Sequence, residues 1–307
     1  MHASGLGQCS LDYLAVVDTY PQLDTKREVR EWLEQGGGPV ATALATLSRL
    51  GVSCRFYGIT GDDSEGERIR KSLVDEGIDV SGLVARENAS SQVAFIAIEK
   101  ETAKRTIFWK RPTGSPLSAE ELGPGFPGGS DFLILDGLMS DASLYAARAA
   151  REAGIPVMLD AGRMRPGMLE IARTADYVAG SEEFARDLGW GLSPDSLHAE
   201  RKKLGAKVLT ITLGARGSVT ASDDGAFQTP AFEVRAVDTT GAGDVFHGAY
   251  IYGLMRKWGI RDTVIFASAT AALKCTKLGG RTGIPRLDEV MEFLRERGLS
   301  HKPFTRA

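Results

Sequence analysis

The stretch FLILDGLMSDASLYAARAAREAGIPVMLDAGRMRPGMLEIARTADYVAGS, residues 132–181, decides the fold. A short apolar run, Phe132 to Leu135, leads into an amphipathic stretch ending at Ala153; the apolar run Ile155 to Leu159 follows, then Tyr177 to Ala179 before another helix. Short buried runs alternating with helical stretches make βα units, whose strands lie parallel in a sheet covered on both faces. Lys207 to Leu213 continues the pattern as a buried strand, and Asp262 to Lys277 and Leu287 to Arg297 read as terminal helices. No linker and no repeat interrupts the 307 residues, so one α/β domain spanning 1–307 is expected.

Two regions break this rhythm with period-two alternation: Arg27 to Glu34, and the pair Gln92 to Ile98 and Arg105 to Trp109. They read as half-exposed antiparallel strands of a small sheet standing off the main domain, inserted at about residues 11–35 and 88–112. Such a sheet is either a lid over a site or a peripheral cover for core.

Apolar residues at 43% and charged residues at 25% describe an ordinary globular chain and exclude disordered and fibrous classes. A net charge of −3, with no Lys/Arg run, gives no field for nucleic acid. No segment reaches the roughly 18 apolar residues of a membrane span, and the N-terminus lacks a leader pattern, so a cytoplasmic location with no membrane partner is expected. Cys9, Cys54 and Cys275 are scattered, as are His2, His198, His247 and His301, and none has zinc or redox spacing.

Val237-Asp238-Thr239-Thr240-Gly241-Ala242-Gly243-Asp244-Val245-Phe246-His247-Gly248-Ala249, continuing as a helix to Met255, is the segment richest in chemistry. Gly241 and Gly243 let backbone approach a ligand, and the first amides of a helix have no intrahelical partners. Such amides, with the helix dipole, bind anions and would stabilise charge on a transferring phosphoryl group. A carboxylate in that turn repels phosphate unless it has a task; Asp244 is placed to take the proton of an attacking hydroxyl. The competing reading is a glycine turn with an ordinary acidic first-turn residue.

Three further segments carry weaker signals. Gly36-Gly37-Gly38-Pro39 precedes a helix closed by Gly51, which suits either a ligand contact or a loop-to-helix junction. Gly58 to Glu67 ends a strand and starts a helix, with Ser64 and Glu67 spaced as a capping box. Thr212-Leu213-Gly214-Ala215-Arg216-Gly217 leaves a strand at its carboxyl end, the edge where α/β sheets bind ligands.

In this order, the segments resemble the ribokinase-like carbohydrate kinases, the PfkB family, over nearly the whole chain. VDTTGAGDVFHGA is similar to the C-terminal signature of that family, GGPVATALATLSRLG to its sugar-site signature and YGITGDDSEG to its GDDxxG stretch. The resemblance implies a central, mostly parallel sheet flanked by helices with a small β-sheet lid. It implies Asp244 as catalytic base and the Gly241, Ala242 and Gly243 amides as anion hole. Asp12, Gly37, Gly38 and Thr42 are then expected on the sugar, with Lys26 and Trp109 contributed by the lid. Thr212, Gly214, Gly217, Ser181, Ser268 and Ala271 are expected on ATP, which brings Mg2+. The carbonyls of Asp238, Thr240, Lys274, Lys277, Gly279 and Gly283 are expected to bind a monovalent cation, K+. A homodimer through the lid sheet, as in many relatives, is possible on the same ground.

The chain departs from the family at Thr42, where many members have Asn, and at Ser181-Glu182-Glu183-Phe184, where both the Asn and the final Glu of NxxE are missing. Among branches, GGGPVATA and AALKCTKLGGRTGIP most resemble the sulfofructose kinases, with Lys26 matching a sulfonate-binding lysine and Lys110 and Arg111 nearby. Trp109 and Leu138 stand where that branch needs polar or cationic groups. A small ketose, hexose or pentose is therefore the expected substrate. A nucleoside, or an anionic sugar such as a sulfo-sugar or sugar acid, is the alternative. A dinucleotide-binding oxidoreductase is disfavoured because the glycine motif lies near the C-terminus. A non-catalytic sugar-binding protein would keep the glycines but would not need Asp244.

Overall fold

The computed structural model describes residues 1–123 and 125–299. Its strands are β1 (His2–Leu6), β2 (Ser10–Val17), β3 (Glu31–Gly37), β4 (Ser53–Gly61), β5 (Ile78–Arg86), β6 (Val93–Glu99), β7 (Arg105–Lys110), β8 (Phe132–Leu135), β9 (Val157–Ala161), β10 (Tyr177–Ser181), β11 (Val208–Thr212), β12 (Ser218–Ser222) and β13 (Gly225–Thr229). The helices are α1 (Pro39–Arg49), α2 (Ser64–Asp75), α3 (Ser140–Glu152), α4 (Met168–Thr174), α5 (Glu182–Asp187), α6 (Pro194–Leu204), α7 (Ala242–Met255), α8 (Ile260–Cys275) and α9 (Leu287–Glu296).

The main sheet runs β13-β12-β11-β10-β9-β8-β1-β4-β5. From β5 to β11 every pair is parallel, and the β12–β13 hairpin adds an antiparallel edge. The run of parallel strands explains why Phe132 to Leu135 and Val157 to Ala161 are buried throughout: helices cover both faces. One core cluster lies under α1, α7, α8 and α9, and the other under α3 to α6. Helix α7 is buried from Val245 to Gly253, which accounts for its lack of a polar face. No helix among the described residues is long and apolar enough to cross a membrane.

The small sheet is ordered β3-β2-β6-β7. Its outer pairs are antiparallel, as the period-two pattern predicts, but the central β2–β6 pair is parallel, so the sheet is mixed. The first strand also starts later than expected: residues 27–30 are exposed loop and pairing begins where Glu31 meets Val16. At α2 the cap is Asp63, whose carboxylate accepts from the Gly66 amide at 2.9 Å, and the expected Ser64 cap is the first helical residue instead. Asp63 is fixed in that role because it also accepts from the Ser91 amide and hydroxyl, at 2.7 and 2.6 Å.

Because successive strand residues face opposite sides, the register separates two faces of the small sheet. Gln35, Asp12, Ala94 and Trp109 share a row, and Arg105 lies on the same face. Tyr13, Phe95 and Phe108 form a row on the other face, joined by Trp32. The first face turns toward the main domain, since Leu14, Val16, Ile96 and Ile98 are buried there with Leu33 and Leu278.

Candidate active site

Parallel strands place all their carboxyl ends at one edge, where the peptide chain leaves the sheet and a crevice can form. Asp136 follows β8 there, Asp160 is in β9, and Ser181 and Thr212 end β10 and β11. Helix α7 enters this edge from the glycine turn. Gly241 is its N-cap with φ 71°, a conformation that strains any side chain, and a Cβ at that position would press on the Gly280 Cα at 3.1 Å. The amides of Ala242 and Gly243 open the helix, and Asp244 follows in the same turn.

Asp244 is half-buried, and burial followed by repulsion from Asp160 raises its pKa to about 7, partly offset by His247 and Arg105. His247 lies three residues on, on the same side of the helix. Its Nδ1 is 2.9 Å from Asp160 Oδ2, and both side chains are almost fully buried. Burial depresses the imidazole pKa, but Asp160 more than reverses this, so the net shift is upward. One ligand-type atom each of Asp160, Asp244 and His247 falls within 4.8 Å of the others. Neither Asp160 nor His247 is singled out by sequence spacing, because a strand and a helix 87 residues apart bring them together.

The expected sugar-side residues converge with equal economy of space. Asp12 is buried and accepts from Ser10 Oγ at 2.7 Å; its carboxylate lies so close to Gly37 that a Cβ there would collide with it. Burial raises the Asp12 pKa. Gly38 is the N-cap of α1 and Thr42 is buried in its first turns. Arg281, which the sequence gives no reason to choose, is fully buried beneath this loop and donates to the Gly37 carbonyl at 2.9 Å and to Ser72 Oγ at 3.2 Å. Trp109 lies in the small sheet on the face that carries Asp12. Lys26 does not join them in a strand; it lies exposed in the loop between β2 and β3.

A cavity of about 580 Å³ opens on the other side of the α7 N-terminus. Thr212, Gly214, Gly217, Ser268 and Ala271 line it, and so do Ala242 and Gly243, so the 212–217 loop and the first turn of α7 border one space. Ser181 is not part of that wall. Its hydroxyl donates to the Gly162 carbonyl at 2.6 Å and accepts from the Phe184 amide at 3.2 Å, which caps α5. Glu182 and Glu183 are paired with Arg216 and Arg163 at 2.6 and 2.7 Å in exposed ion pairs. The small sheet also reaches the segment before the Gly241 turn: Arg105 Nη1 donates to Thr239 Oγ1 at 2.7 Å.

Residues 5–287 match the profile of the pfkB family carbohydrate kinases. The chain belongs to that family. Among curated proteins it is 27% identical to the ATP-dependent ribose-1-phosphate kinase of Halopiger xanaduensis, over 95% of this chain and 97% of the other. It is 29% identical to fructokinase-1 of Zea mays, over 88% and 91% respectively. The crystal structure of a ribokinase from Thermotoga maritima superposes with a TM-score of 0.81 at 26% identity, covering 95% of this chain and 99% of that one. The pfkB match makes the ribokinase-like fold and the carbohydrate kinase class firm for this chain.

Proposed function

We propose that this pfkB kinase transfers the γ-phosphoryl group of ATP to a hydroxyl of a small neutral sugar, a ketose, hexose or pentose. Asp244 accepts the hydroxyl proton as the sugar oxygen forms its bond to the γ-phosphorus and the bond to the bridging oxygen of ADP breaks. The Gly241, Ala242 and Gly243 amides hold the charge that gathers on the equatorial oxygens. The observation that carries this reading is the position of Asp244, one turn into a helix whose first amides also line the nucleotide cavity. Asp12, Gly37, Gly38, Thr42 and Trp109 are assigned to the sugar. Thr212, Gly214, Gly217, Ser268 and Ala271 are assigned to ATP. Magnesium arrives with the nucleotide, whose phosphates it neutralises, and no protein ligand is assigned to it.

A second reading, a sugar bearing an anionic group, is favoured by one observation. Arg111 and Leu138 line a cavity of about 130 Å³ with Gln8 and Cys9, beside the sugar loop. Arg165 is close enough to Arg111 for the two charges to oppose each other. In this reading an anion is met by Arg111 and not by the solvent-exposed Lys26. We also assign the outer aromatic face of the lid to a second copy of the chain.

A coupled ADP-release screen across neutral sugars, sugar acids, sugar phosphates and nucleosides tests the assignment. Highest kcat/KM for a neutral ketose, with Lys26→Ala changing its KM less than about twofold, supports the first reading. Preference for an anionic sugar, lost in Arg111→Ala, moves the assignment to the second. No ADP release with any of them would leave a sugar-binding protein.

A further inference from the structure

Lys274 occupies an unusual position for a lysine. It stands in the last turn of α8 with no exposed surface, and its Nζ donates to the main-chain carbonyl of Asp238 at 2.7 Å. The Asp238 carboxylate, also fully buried, is 4.0 Å from the same nitrogen and accepts from the amides of Thr240 and Gly279, each at 2.8 Å. The Val237 amide completes the seam by donating to the Cys275 carbonyl at 2.8 Å. Two segments, 237–240 and the end of α8 through 279, are thus fastened together around one ammonium group, and the first of them runs directly into the Gly241 turn of the anion hole.

The carbonyl of Asp238 is one of the six expected to hold potassium. A monovalent cation seated on it would share that oxygen with Lys274 and lie within a few ångströms of a like charge in a dry interior, where such repulsion is strong. The residues present do not fit a potassium ion; they fit the ammonium already tethered there. A buried lysine, in turn, is tolerated only where charge and hydrogen-bond partners surround it, and Asp238 supplies both.

We propose that the Lys274 ammonium is the resident monovalent cation of this kinase: it positions the loop that carries the anion hole, and the enzyme needs no potassium. Lys274 is a positioning residue, acting through Asp238 and Thr240 on the Gly241 turn, and it touches neither sugar nor nucleotide.

The activity arm of the test rests on the kinase assignment above, so a binding arm accompanies it. At constant ionic strength, wild-type kcat and KM for ATP should agree within about twofold in potassium, sodium and tetramethylammonium chloride. The melting temperature should be equally indifferent, and thallium(I) used as a potassium substitute should give no bound signal by 205Tl NMR. In Lys274→Ala, turnover in tetramethylammonium should fall at least about tenfold and be restored in part by potassium or ammonium ions. Potassium should also raise the melting temperature of that variant. Stimulation of the wild type more than about fivefold by potassium, or a thallium site in it, overturns the proposal. So does a folded Lys274→Ala that is indifferent to every cation in both rate and melting temperature. Should Lys274→Ala not fold, the wild-type salt series and thallium spectrum decide alone. If no sugar is phosphorylated, melting and thallium binding still report on the cation, which separates failure of this proposal from failure of the kinase assignment.

Discussion

His247 Nδ1 stands 2.9 Å from Asp160 Oδ2, one turn of α7 beyond Asp244. The contact brings an imidazole and a second carboxylate within 4.8 Å of the group proposed to take the sugar hydroxyl's proton. Its consequence is electrostatic: Asp160 pushes the Asp244 pKa up and His247 pulls it down.

The pH dependence follows from that balance. A general base works only when deprotonated, so with the Asp244 pKa raised to about 7, kcat/KM should fall as pH drops through that value and level off above it. His247→Asn removes a group that lowers the Asp244 pKa, so the acidic limb should move to higher pH. A pH–rate profile of both proteins checks this, and a limb that stays in place, or moves to lower pH, contradicts it.

The nucleotide assignment is testable by filling space. Ala271 lines the 580 Å³ cavity, and a phenyl ring there would occupy the volume assigned to the nucleotide. Ala271→Phe should raise KM for ATP about tenfold or more, equivalent to ~1.4 kcal/mol of lost binding, with KM for the sugar unchanged. An unaltered KM for ATP would place the nucleotide elsewhere.

The outer face of the lid makes a third prediction. Trp32, Phe95 and Phe108 are 57%, 39% and 53% exposed and lie in one aromatic row with Tyr13, at ring-centroid spacings of 6.1, 5.9 and 6.4 Å. Contiguous exposed apolar surface of this kind marks an interface. Sedimentation should find the wild type as a dimer and Trp32→Glu/Phe108→Glu as a monomer. A wild type that remains monomeric at micromolar concentration removes the interface.

Sequence periodicity carried the main sheet because parallel strands are buried on both sides and appear as short continuous apolar runs, such as Phe132 to Leu135. The β12–β13 hairpin was not read, since its pattern resembles an ordinary loop excursion. The parallel β2–β6 pair could not be read either: period two reports which residues face inward, not which strand lies alongside. The glycine turn and the first turn of α7, which carries Asp244, were legible because a turn into a helix is written in a fixed local run of residues. Asp160, His247 and Arg281 were not, because each acquires its contacts from a partner distant in sequence. Arg281 reaches Gly37 across 244 positions, and no spacing rule spans that gap. Lys274 illustrates a different limit: its main-chain carbonyl was the part expected to have a role, whereas in the structure it is the side chain that reaches the Asp238 carbonyl.

Asp244→Asn tests the central claim most directly, because Asn keeps the size of the side chain and the helix start while removing the ability to accept a proton. Measured with the best sugar from the screen, its turnover should be lower by about 100- to 10,000-fold, the range for loss of a positioned general base. ATP affinity by titration calorimetry should be retained or improved, since a negative charge beside phosphate has been removed. Turnover within a few fold of wild type, with ATP still bound, would contradict the account and take Asp244 out of the chemistry.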